Sequence, residues 1–70
     1  MSDSVYKIIE LVGSSTESWE KAAQNAIAKA SESLHDLRIA EVSQMDMHLH
    51  EGKIKYYRTK LKVSFKYEAR

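Results

Sequence analysis

The sequence predicts an α+β fold with the element order β-α-β-β, a three-stranded antiparallel sheet packed on one long helix. Three observations predict it. The chain has 70 residues, no Pro and two Gly, so its elements must be few and long. An alanine stripe at helical spacing (Ala22, Ala23, Ala26, Ala30) lies in the first half. Two β-rich segments fill the second half, separated by one turn signal at Gly52.

Residues 5–12 (VYKIIELV) are rich in β-formers and read as the first strand, stopping at Gly13. Tyr6, Ile8 and Val12 share one face, and Val5, Ile9 and Leu11 share the other. A strand apolar on both faces requires cover on both. A helix supplies one cover, and a second subunit or a ligand is expected to supply the other.

Ser14 and Glu17 match a capping box, with Ser15 as an equivalent cap, so a helix is expected over 16–34. Trp19, Ala22, Ala23, Ala26, Ile27, Ala30 and Leu34 form its apolar stripe. Because that stripe is mostly alanine, the helix can lie close to a sheet. Glu17 and Lys21 have the spacing of a favourable helical pair, and His35 near the helix end is favoured by the helix dipole.

Residues 37–49 read as the second strand, 50–53 (HEGK) as a turn and 54–67 as the third strand. In the third strand Tyr57, Thr59, Leu61, Val63, Phe65 and Tyr67 make the core face, and Arg58, Lys60, Lys62, Ser64 and Lys66 the opposite one. A right-handed crossover sets the first two strands parallel, and the hairpin sets the third antiparallel between them. The third strand, ~46 Å long at ~3.3 Å per residue, outruns a helix of ~29 Å at ~1.5 Å per residue. The overhang calls for another subunit.

Residues 1–70 make one small domain of 8.0 kDa. A chain of this size buries only ~60% of its unfolded surface and usually needs a staple. There is no Cys, which removes disulfides and thiolate metal sites and leaves oligomerisation or a non-thiolate metal. Eleven basic against ten acidic residues give a net charge of +1, no general attraction for nucleic acid or membranes. The opening MSDSVY lacks a signal-peptide pattern and no apolar run approaches a membrane span. The expectation is a soluble, cytoplasmic protein without nucleic-acid or membrane partners.

Asp46, His48 and His50 lie two apart on the second strand and so share a face, with Glu51 just beyond. They read either as an ordinary polar hairpin end or as a metal site. Nitrogen ligands suit zinc or nickel, whereas calcium needs the oxygens of Asp46 and Glu51 plus carbonyls. Arg58, Lys60, Lys62 and Lys66 form a basic stripe, either a salt-bridged sheet face to which Glu10 and Glu41 contribute or an anion site. Trp19 reads as core or subunit contact, and Met45 and Met47 as filler at a strand or interface. The serines serve as caps, and no phosphate loop or nucleophile elbow occurs, so no enzyme is expected. Single-strand nucleic-acid binding through Tyr56, Tyr57 and the basic residues would require an aromatic platform and a stronger positive field.

The opening VYKIIELVGSS-x-x-SW, the AAQNAIAKA stripe, Ile39-Ala40-Glu41-Val42 and Lys62-Val63-Ser64-Phe65 together resemble the dodecins. That resemblance implies a hollow homododecameric cage that binds or stores a small ligand. Many dodecins bind flavins, FMN or riboflavin, with a Trp stacked on the ring and a Gln bonding its pyrimidine edge. At the matching positions this chain has Ile39 and Arg58. Ile supplies no ring face, and Arg donates but cannot accept hydrogen bonds, so flavin binding is expected to be weak or absent. The chain is more similar to dodecins lacking the flavin pair, a branch for which calcium binding has been described. The resemblance thus implies calcium as an alternative ligand, and an assembly without ligand as another.

Overall fold

A computed structural model describes residues 4–67. The order is β1 (Val5–Ser15), α1 (Trp19–Ser31), β2 (Leu37–His50) and β3 (Lys53–Tyr67). The strands form one sheet of order β1-β3-β2, with both pairings antiparallel, as the β-α-β-β reading expects. The helix lies on one face of this sheet.

The core forms where alanines meet β-branched and leucine side chains. Ala22, Ala26 and Ala30 are buried on the helix, and Thr59, Leu61 and Val63 on β3 are each 1% exposed. Ile9, Leu11, Ala23, Ile27 and Leu37 pack around them. The odd-numbered face of β3 is therefore the core face, as its alternation predicts. At Gly13 an added Cβ would collide with the Ala22 carbonyl oxygen. The glycine thus lets the helix backbone rest directly on β1 rather than ending the strand.

The helix boundaries differ from the sequence reading. Gly13, Ser14 and Ser15 continue the ladder with Thr59, Arg58 and Tyr57, so β1 absorbs the expected caps. The Ser15 hydroxyl accepts from the Glu17 N–H at 2.9 Å, closing the bend after the strand. Ser18, in extended backbone, is the cap instead, its hydroxyl accepting from the Lys21 N–H at 2.9 Å. Glu17 precedes the helix and does not form the expected helical pair with Lys21. The helix ends at Ser31, so Leu34 and His35 lie beyond it, and the dipole argument for His35 does not apply. Asp36, at φ 58°, turns the chain into β2, and its carbonyl accepts from the Lys66 N–H at 3.2 Å.

A shorter helix makes the sheet overhang larger. Thirteen helical residues span about 20 Å at ~1.5 Å each, against about 50 Å for the fifteen of β3 at ~3.3 Å each. The molecule measures 54 × 20 × 16 Å. Its accessible surface is 5594 Å², against about 4,450 Å² for a folded monomer of this mass by the usual scaling. Large apolar side chains are part of that exposed surface. Ile8, Val12 and Ile39 are exposed on the helix-free face, and Met45, Met47 and Leu49 on the overhanging β2–β3 hairpin.

The hairpin turns on Glu51 and Gly52, both at positive φ (52° and 78°), as a two-residue turn requires. Three extra residues then interrupt the β2–β3 ladder: Lys55 on β3, and Ser43 and Arg38 on β2. Each shifts the register by one, which exchanges the faces of opposing side chains. The Ser43 hydroxyl donates to the Lys60 carbonyl at 3.2 Å within its bulge.

Candidate functional site

The helix-free face of the sheet carries most of the residues singled out for chemistry. Register sets them in cross-strand rows. Ile8, Ser64 and Ile39 form one row, and Glu10, Lys62 and Glu41 the next. Val12, Lys60 and Gln44 follow, then Ser14, Arg58 and Asp46, with His48 beside Tyr56 toward the hairpin. The predicted basic stripe is thus largely neutralised across strands, with two carboxylates flanking Lys62 and one opposing Arg58.

The Arg58–Asp46 contact has the most defined polar geometry on this face. Arg58 Nε donates to Asp46 Oδ1 at 2.7 Å and Nη2 to Oδ2 at 2.9 Å, a side-by-side, bidentate pair. Hydrogen bonding to Arg58 lowers the Asp46 carboxyl from its ordinary value of 3.8, and burial opposes this. The charges of Arg58 and Lys60 lower it further. The Arg58 guanidinium is shifted upward by the same hydrogen bond and charge. On the other side of the strand, the Trp19 indole N–H donates to the Asp46 carbonyl at 2.9 Å. Trp19 itself rests edge-on against Tyr57, centroids 5.1 Å apart, and its carbonyl accepts from the Thr59 hydroxyl at 2.9 Å. Trp19 therefore ties the helix start to β2 and β3, the structural role expected of it.

Sequence reasoning assigned Arg58 to a flavin pocket and Asp46 to a metal set, and missed that they pair. The hairpin turn was the available signal, but counted without a bulge it sets Asp46 opposite Tyr57, on the other face. The extra residue Lys55 brings Asp46 opposite Arg58.

Ile39 lies elsewhere. It is 67% exposed and lines a depression of about 410 Å³ with Tyr6, Arg38 and Ser64. Ser64 Oγ is tied to the Ile39 backbone at 3.3 and 3.4 Å. Ser64, the partner of Ile39, and Arg58 are six residues apart on β3, about 20 Å at ~3.3 Å each. One chain does not bring Ile39 and Arg58 together.

The four predicted metal residues are also distributed. Asp46 is held by Arg58, and the His48 ring faces Tyr56 at 5.9 Å between centroids. His50 Nε2 is 3.6 Å from Glu51 Oε2, both side chains well exposed. Among the described residues no three His, Asp or Glu side chains form a group able to hold a metal ion. The described residues of one chain do not assemble the oxygen shell calcium takes. Tyr56 and Tyr57 occupy opposite faces and make no common stacking platform. No described helix is long and apolar enough to cross a membrane.

Comparison with known proteins agrees with this fold and adds a lineage. The family model described as Dodecin matches residues 5–68. A relative named calcium dodecin, from Mycobacterium tuberculosis, is 50% identical over 64 residues, covering 90% of this chain and 89% of that protein. The dodecin of Thermus thermophilus is 41% identical over 64 residues, covering 91% and 93%. The solved dodecin of Streptomyces coelicolor superposes with a TM-score of 0.94 at 31% identity, covering 100% of both chains. The crystal structure of the M. tuberculosis calcium dodecin, described with a novel calcium-binding site, gives 0.83 at 48% identity over 93% of each chain. By fold, by length and by sequence, this chain belongs to the dodecin family.

Proposed function

We propose that this chain is a non-catalytic, self-assembling protein that forms a twelve-subunit cage and binds or stores a small ligand, with its flavin pocket weakened. The observation that carries the reading is the pair of altered positions. Ile39 offers apolar surface but no ring to stack on, and the guanidinium of Arg58 is engaged by Asp46 instead of facing a ligand. The number of large apolar side chains left exposed on the helix-free face and on the hairpin supports self-assembly, since a chain this small gains from burying them against another copy.

Two measurements test this. Light scattering at micromolar concentration is expected to report a closed oligomer near twelve subunits, and a folded monomer overturns the cage. Riboflavin fluorescence is expected to be quenched weakly or not at all by the parent. It should be quenched clearly more by the Ile39→Trp, Arg58→Gln double variant than by either single one. Tight binding by the parent overturns the weakened pocket.

A second reading is favoured by the 50%-identical calcium dodecin: divalent-cation binding through Asp46, His48, His50 and Glu51. Because one chain does not gather them, the site would be shared between copies and Asp46 would have to leave Arg58. Calcium should then raise the melting temperature and chelator lower it. No shift with either, and no metal by elemental analysis, removes this reading.

A further inference from the structure

We propose that Arg58 is the centre of an oxyanion site that the chain fills from within, Asp46 being the occupant that keeps phosphate-type ligands out. The inference deepens the reading of the ligand face given above and rests on it.

A guanidinium grips a carboxylate or a phosphate with the same two parallel N–H donors. Arg58 uses that grip on Asp46, at 2.7 and 2.9 Å. The two rows nearest the pair carry one cation more than they carry carboxylates, and the row of Lys62 beyond them restores neutrality. Ser14 stands opposite Arg58 on β1, and Lys60 stands two residues along β3 on the same face. The neighbours of Lys60 across both strands, Val12 and Gln44, carry no charge, and its field reaches Asp46. Lys62, by contrast, has Glu10 and Glu41 on either side. In the rows of Arg58 and Lys60, two cations are therefore balanced by one carboxylate.

Within its own chain the pair is not sealed: the Arg58 and Asp46 side chains are 48% and 50% exposed, so the fold of one subunit leaves the guanidinium accessible to an anion. What it meets there is a tethered competitor. The Trp19 indole pins the Asp46 backbone from the opposite face of the sheet, which holds the carboxylate at high effective concentration beside Arg58. The face consequently favours neutral or cationic ligands and excludes oxyanions, and Asp46 sets that specificity.

Pyrophosphate, titrated calorimetrically into the assembled protein at low salt, is the probe. Asp46→Ala is expected to bind it at least tenfold more tightly than the parent, and the gain should shrink as salt rises. Asp46→Asn keeps the side-chain shape without the charge and should show a smaller gain of the same kind. If the alanine variant fails to assemble by light scattering, the asparagine variant decides. The Asp46→Ala, Arg58→Gln double variant should lose the gain. Affinities within twofold of the parent for the assembled variants overturn the proposal. So does a gain that survives in the double variant. Riboflavin titrated in parallel reports on the weakened pocket separately: tight binding by the parent overturns that reading and leaves the pyrophosphate comparison intact.

Discussion

The two faces of β3 differ in what the fold demands of them. On one face Thr59, Leu61 and Val63 are sealed under an alanine-lined helix. On the other, Arg58, Lys60 and Lys62 stand in the open between the side chains of β1 and β2. The covered face is set by volume: small helix residues and Gly13 bring the backbones close, and larger sheet residues fill the remaining space. The open face is set by charge and register, with Lys62 between two glutamates and Arg58 clamped to Asp46. The difference teaches that the covered face makes the fold, while the open face, with exposed Ile8, Val12 and Ile39, is not held by the chain's own core.

Deep truncation should separate the faces most sharply. Leu61→Ala, at 1% exposure, is expected to cost about 2–5 kcal/mol, a large share of what so small a domain holds. Lys62→Ala beside it should stay within about 0.5 kcal/mol, as surface substitutions usually do. Denaturant unfolding monitored by circular dichroism measures both, and equal losses would break the comparison.

Gly13→Ala tests the close approach itself. The new Cβ would meet the Ala22 carbonyl, which belongs to the backbone and cannot swing away. The helix must shift, at a cost of about 1–3 kcal/mol as for other overpacked cores, seen as a lower melting temperature. An unchanged melting temperature would mean that the helix does not rest on β1 at this point.

A subtler change keeps the volume and removes one bond. Thr59→Val deletes the hydroxyl that donates to the Trp19 carbonyl and should cost about 1 kcal/mol. Tryptophan fluorescence should report altered packing of Trp19 on Tyr57. If neither stability nor fluorescence moves, this bond does not anchor the helix start.

Acid titration sharpens the open-face side and has the smallest expected effect on stability. Arg58 holds the Asp46 carboxyl below 3.8, first through its hydrogen bond and then through its charge. A lowered folded value means that the pair's contribution is present above about pH 4 and is lost as pH falls through the lowered value. Stability between pH 5 and pH 7 should therefore be indifferent to this pair. A carboxyl NMR titration should place Asp46 below 3.8, and Arg58→Gln should return it toward that value. An Asp46 midpoint at 3.8 or above in the parent would show that the clamp is not held in solution.

Much of the fold was legible because it rests on periodicity. The alternation from Tyr57 to Tyr67 identified the core face, and the alanine spacing identified the helix stripe. The two-sided apolar pattern of residues 5–12 marked a strand in need of two covers. The helix start was misread because Ser14, Ser15 and Ser18 are chemically equivalent caps. Pairing with Arg58 and Tyr57 retains the first two in β1 and leaves the third to begin the helix.

By itself, then, the sequence determined the element order, the central place of the third strand and which side chains are apolar at which period. These follow from local spacing, which a chain carries wherever it folds. Only the tertiary structure decided which charges meet. A two-residue hairpin turn predicts one register, but the extra residues Lys55 and Ser43 shift the strands between them by one place. A shift of one place moves a side chain to the other face. Asp46 therefore meets Arg58, and that meeting depends on bulges whose positions emerge only when both strands are paired.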